Sequence, residues 1–371
     1  MEMLLTILLT GDVMLGRGVD QIMPHSVAPE LHEPYVRTAT RYVELAERAT
    51  GELDAPVNHD YVWGDALAVL QRVEPQVRLI NLETAVTTSD DHWQGKGIHY
   101  RMHPENVAAI TAAGIDACVL ANNHVLDWGY PGLRETVASL RDAELAPVGV
   151  GEDFNAAFEP VALNGPGDAT LRVFAVGMPT SGVPLSWAAR DGRPGVAYLP
   201  DLSDDALDAM KQIIEQSSEA GDVVVFSVHW GGNWGYEIPE EQTEFAHRLI
   251  DEAGVDIVYG HSSHHPKGIE VYNGRLILYG CGDLINDYEG IGGHESYRPE
   301  LTALYLPAVD SATGELRELR LSPMRIERLR LNNATRPETE WLRDRLNRES
   351  KRFGVRFEID AHGDLLGKWG G

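Results

Sequence analysis

With only two cysteines in 371 residues, Cys118 and Cys281, the chain has neither a disulfide framework nor a cysteine-rich zinc site. Both lie in apolar runs, where buried free thiols are expected. Lysine is almost as scarce: Lys96, Lys211, Lys267, Lys351 and Lys368 stand among 31 basic residues, against 57 acidic ones. The net charge of -26 argues against non-specific binding to nucleic acid or to an anionic membrane surface. No apolar run approaches the ~20 residues of a spanning helix. Met1-Glu2-Met3-Leu4 leads straight into apolar sequence, without the basic region and apolar stretch of a secretory leader. A cytoplasmic protein with no integral membrane segment is expected, its oligomeric state left open. Internal repeats and low-complexity segments are also lacking.

What is present is an ordinary globular composition, 43% hydrophobic and 24% charged, enough for a full core without staples. Periodicity predicts strands alternating with helices over most of the chain, hence an α/β protein. The expected body spans residues 1–332, with an insertion rich in Pro, His and aromatics at about 24–65. Residues 333–371 are expected to add a terminal helix and a strand packing on it. Helices are predicted at 36–49, 64–72, 104–113, 132–142, 203–220, 239–253 and 338–352. A hairpin is predicted over 268–280, turning at Asn273-Gly274. The long loops 87–103 and 179–200 are expected to wall one pocket.

Five short apolar runs each end in a residue able to hold a metal. Residues 6–10 end at Gly11-Asp12, 77–80 at Asn81-Leu82-Glu83, and 117–121 at Asn122-Asn123-His124. Residues 223–228 end at His229, and 256–260 at His261, with His264 and His265 just beyond. Runs of this kind read as buried parallel strands. In open α/β sheets ligands sit at the carboxyl ends of strands, so the five termini are expected to converge. Carboxylate, imidazole and amide oxygen suit divalent ions such as Mn, Fe or Zn, and one or two ions are expected. Each residue taken alone has an ordinary alternative. Asp12 and Glu83 fit turn or helix caps, and His229 fits a hydrogen-bonded core histidine.

Within this set, Asp12, Glu83, Asn123, His229, His261 and His264 are the candidate metal ligands. His124, with Asp127 three residues on to orient its imidazole, is the candidate proton donor. Arg17 and Arg101 are candidate clamps for a small or oligomeric anionic substrate, since a guanidinium fork fits phosphate or carboxylate. Asn122 is assigned to the substrate side. Asp283, Asn286 and Asp287 end a further apolar run and carry less weight.

GDVMLGR, NLETAVT, LANNHVLDWG, the VHWG run and GHSSHHPKGIEVYNGRLILYGCGD follow one another over roughly residues 5–290. Together they resemble the CapA family of capsule or poly-γ-glutamate biosynthesis proteins, in the calcineurin-like metallophosphoesterase superfamily. The resemblance implies a four-layer α/β/β/α sandwich with its metal site at the strand ends. It also implies Asn123 as a ligand and His124 as the catalytic partner. Met14 stands where the superfamily's first motif has an imidazole, Asn81-Leu82-Glu83 replaces a Gly-Asp motif, and the 260–264 motif is one residue longer. The expected activity is metal-dependent hydrolysis of a phosphoester or related bond. The alternatives are hydrolysis or transfer at γ-glutamyl amides, and a non-catalytic metal-binding assembly protein.

Overall fold

A computed structural model describes residues 3–370. Its first apolar run forms Leu4–Leu8, resumed after Gly11 by Asp12–Val13. Val77–Leu82 pairs parallel with both pieces, Ile7 opposite Val77 and Asp12 opposite Asn81. Ala117–Val119 and then Ala146–Val148 continue the sheet in parallel on one side. On the other side Leu301–Asp310 runs antiparallel to Leu4–Leu8, while Asp283–Ile285 runs parallel to Asp12–Val13. Leu316–Glu327 follows, and the sheet reaches eleven strands.

The second sheet has six strands. Thr170–Gly177, Val223–His229, Ile257–His261 and Arg275–Leu278 are mutually parallel, with antiparallel edges at Val161–Asn164 and Ile269–Tyr272. The apolar run 223–228 is unbroken because both of its faces are covered. Val223 and Val225 join the core shared with the large sheet, whereas Val224, Phe226 and Val228 pack with Leu207, Met210, Phe245 and Leu249. Those last four belong to the helices Asp204–Ser217 and Glu240–Ala253. Ala66–Val73 and Gly129–Asp142 supply Val69, Leu70, Leu133 and Leu140 to the large sheet's core. The order of layers is α/β/β/α, as the family resemblance implies.

A hydroxyl ties the two sheets beneath the site: Tyr259 Oη accepts from the Thr10 N–H at 2.9 Å and donates to the Thr10 carbonyl at 2.6 Å. Among the described residues no helix is long and apolar enough to cross a membrane. Some local expectations needed revision. The helix predicted at 104–113 is a 3-10 turn, Pro104–Val107, followed by the short Ala108–Thr111. After the terminal helix Arg336–Glu349, opened by a Thr335/Glu338 capping box, two strands form where one was expected. The second, Leu365–Lys368, pairs with Leu316–Glu327 and so extends the large sheet. Asn273 and Gly274 both take positive φ, 48° and 75°, as the tight hairpin turn requires.

Candidate metal centre

Register builds the centre. Asp283, Asp12 and Asn81 lie abreast on three neighbouring parallel strands of the large sheet. His229 and His261 lie abreast on two strands of the small one, ring centroids 6.2 Å apart. Gly11 lets the Asp12 strand come this close. A Cβ there would stand 2.2 Å from the Gly282 carbonyl oxygen, which accepts the Asp12 N–H at 2.8 Å.

Two groups of candidate ligands share Asp12. Asp12, Glu83 and His229 bring ligand atoms within 4.8 Å of one another, and Asp12, His264 and Asp283 do the same. All five residues are buried. Glu83 Oε2, His229 Nδ1 and His261 Nε2 are buried without a hydrogen-bond partner. Orphaned buried acceptors of this kind, in a pocket of carboxylate and imidazole, fit divalent cations. Asn123 Oδ1 lies 3.2 Å from His229 Nε2, at the same place. His261 Nδ1 is 3.1 Å from Asp12 Oδ1, and Asn81 donates to that oxygen at 2.7 Å.

The electrostatics follow from burial and like charge. Burial pushes the Asp12 carboxyl up, but the His261 hydrogen bond and the His261 and His229 charges hold it below the ordinary carboxylate range. Burial and the Asp12 charge push the Glu83 carboxyl well up. Burial lowers His229 to about 3. It also acts to lower His264, but the Asp283 charge at 2.8 Å more than reverses that and raises it.

Beside this centre is a second constellation. His124 Nδ1 lies 2.7 Å from Asp127 Oδ2, and its Nε2 faces Glu83 Oε1 at 3.7 Å. Lys96 Nζ is 2.6 Å from Asp127 Oδ1 and 3.0 Å from His124 Nδ1. Burial lowers His124 to about 4 against the pull of Asp127. The loops 87–103 and 179–200 meet here, with Trp93 and Trp187 edge to face at 5.5 Å.

Three substrate-side expectations are corrected. Asn122 is fully buried and holds the scaffold together: its amide donates to Asn81 Oδ1 and the Leu82 carbonyl, and its Oδ1 accepts the His124 N–H. Arg17 directs its fork at Asp287, through Nε at 3.0 Å and through Nη2, while Nη1 meets Glu33 at 2.9 Å. Arg101 binds Asp90 and the Ser89 and Ala28 carbonyls, and lies over Trp128 at 3.9 Å. Neither guanidinium presents an uncommitted fork to an anion.

Sequence reasoning undervalued Asp283 and missed Lys96. His265 lies outside both ligand groups, taking the Gly235 N–H on Nε2. Met14 holds no ligand position; its sulfur accepts from the Tyr288 hydroxyl at 3.6 Å.

Fold and site define a two-sheet α/β protein whose facing strand ends assemble a buried carboxylate–imidazole centre fit for divalent cations. The chain belongs to the family described as bacterial capsule synthesis protein PGA_cap, whose family model matches residues 6–288. That family is metallophosphoesterase-like. The chain is 50% identical over 352 residues, 95% of its length, to a probable polyglutamine synthesis accessory protein of Mycobacterium tuberculosis, of which 92% is covered. It is 29% identical to the PGA biosynthesis protein CapA of Bacillus subtilis, over 75% of this chain and 62% of that protein. A phosphatase structure from Mycoplasma pneumoniae aligns over 90% of this chain and 96% of its own, at 10% identity and a TM-score of 0.48.

Proposed function

We propose that the protein is a metal-dependent phosphoester hydrolase. The observation that carries this reading is the position of Asp12, a buried carboxylate common to two ligand groups. Asp12, Glu83 and His229 would hold one cation, with Asn123 beside them, and Asp12, His264 and Asp283 a second. Bound divalent ions supply Lewis acidity and make water nucleophilic at neutral pH. The chain's own groups do the rest. Asp127 fixes the His124 ring so that Nε2 faces the centre. Because Lys96 and Asp127 both reach Nδ1, together they decide which ring nitrogen carries the proton. In hydrolysis the water oxygen bonds to phosphorus and the phosphorus–oxygen bond to the alcohol breaks. The alcohol leaves with the His124 proton, and the water's proton passes to solvent.

The second reading, cleavage or transfer at γ-glutamyl amides, is favoured by the name of the Bacillus relative, a PGA biosynthesis protein. Elemental analysis of the purified protein, with assays on a chromogenic phosphodiester and on a γ-glutamyl oligomer, separates the two. Near-stoichiometric Mn, Fe or Zn and metal-dependent phosphodiester cleavage are expected. A protein that takes up no ion on titration, or that cleaves only the oligomer, overturns the proposal.

A further inference from the structure

A cavity of about 220 Å³ adjoins the centre, with the candidate ligand His264 among its lining residues. Tyr35 and Tyr42 reach it from the insertion, Ile98 from the loop 87–103, Trp234 from the turn after His229, and Tyr288 and Ile291 from the segment after Asp283. The Trp234 ring is held parallel to His294 at 3.7 Å and lies 5.4 Å from the His264 ring. At the surface Tyr35 is 70% exposed and Ile291 47%, large apolar groups left open beside a polar centre.

Arg17 is the one Lys or Arg of this lining, and its charge is already matched. Asp287 and Glu33 take its N–H groups, and Tyr42 and Tyr100 cover its faces at 3.8 and 4.3 Å. The cavity therefore offers flat apolar faces and no uncommitted cation. Its volume falls below the ~300–1,000 Å³ of pockets for drug-sized ligands, so it holds about one ring system. A run of γ-linked carboxylates entering it would meet aromatic walls inside a chain of net charge -26.

We infer that this cavity seats a planar, apolar substituent carried next to the phosphoryl group, which makes the substrate class ring-bearing phosphoesters. The inference rests on the hydrolase reading above and adds the substrate class to it. Phosphate oxygens fall to the centre, and the ring falls to Trp234, Tyr288 and Ile98.

The test is equilibrium binding of two non-hydrolysable probes, phenylphosphonate and methylphosphonate, to the full chain loaded with Mn. Phenylphosphonate is expected to bind about tenfold tighter or more, as burial of one ring predicts. Trp234→Ala should bring the ratio close to one. Ile291→Glu, at an exposed position where folding is not at risk, should do the same. A γ-glutamyl oligomer should not compete with phenylphosphonate. Equal affinities, no measurable affinity for either probe, an unchanged ratio in both variants, or competition by the oligomer would each overturn the inference. Phosphodiester turnover without a phenyl preference rejects this inference and leaves the hydrolase standing. A phenyl preference without any turnover rejects the hydrolase and leaves the cavity's specificity standing.

Discussion

His124 and His229 lie at one centre with different partners. His124 is held by Asp127 at 2.7 Å, whereas His229 has Nε2 beside Asn123 Oδ1 and Nδ1 unpartnered. His124→Ala should lower turnover by about 10²–10⁴ and leave metal content intact. His229→Ala should lose metal and activity together, and elemental analysis beside the rate distinguishes the two. The charge on Lys96 opposes protonation of His124. Lys96→Met should therefore move the alkaline limb of the pH–rate profile, where His124 loses the proton it donates, to higher pH, with metal retained. Asp12, His229 and His261 stood out in the sequence because five short apolar runs end alike in polar groups, although each residue alone has an ordinary alternative. Asp283 stood out less, because its strand is three residues long and its register partner, Asp12, lies at the other end of the chain. Arg17 and Arg101 misled because a lone arginine does not reveal its partner: Asp287 is 270 positions from Arg17.

Strands and helices set these positions through close backbone approach. The Gly11 site has no room for a methyl group, since Gly282 O, Gly282 C and Cys281 O would all lie within 3 Å of it. Gly11→Ala should cost about 1–3 kcal/mol by overpacking. It should also weaken metal retention, because the Gly282 carbonyl that would have to move accepts the Asp12 N–H. Thermal melting with metal analysis reads both effects. Most elements were legible from apolar period and turn chemistry, as with the Asn273-Gly274 hairpin. The short strand Asp12–Val13 was not, because two residues carry no period and only pairing with Asn81 and Asp283 defines them. The terminal strands Arg356–Ile359 and Leu365–Lys368 are four residues each: the first alternates charged and apolar residues for too short a stretch to stand out, and the second, Leu-Leu-Gly-Lys, does not alternate.

At the scale of the molecule, buried neutral histidines set the response to acid. Burial holds His124 and His265 near about 4 when folded, against about 6.5 in an unfolded chain. Between those values the unfolded state binds protons that the native state refuses, so stability falls as pH drops from 6.5 towards 4. The slope is about 1.4 kcal/mol per pH unit for each such group. The melting temperature of metal-free protein should fall across that range, less steeply in His265→Gln. Divalent metal should act the other way, adding about 2.7 kcal/mol at a hundredfold excess over its Kd, an increment that a chelator removes.

The ligand groups join sequence from Asp12 to Asp283 and draw on both sheets. In polymer terms a cation there is a reversible cross-link closing most of the chain into one loop. Such closures remove entropy chiefly from the unfolded chain, and the effect grows with the logarithm of loop length. The same ions that serve chemistry would then also govern how slowly the two sheets part.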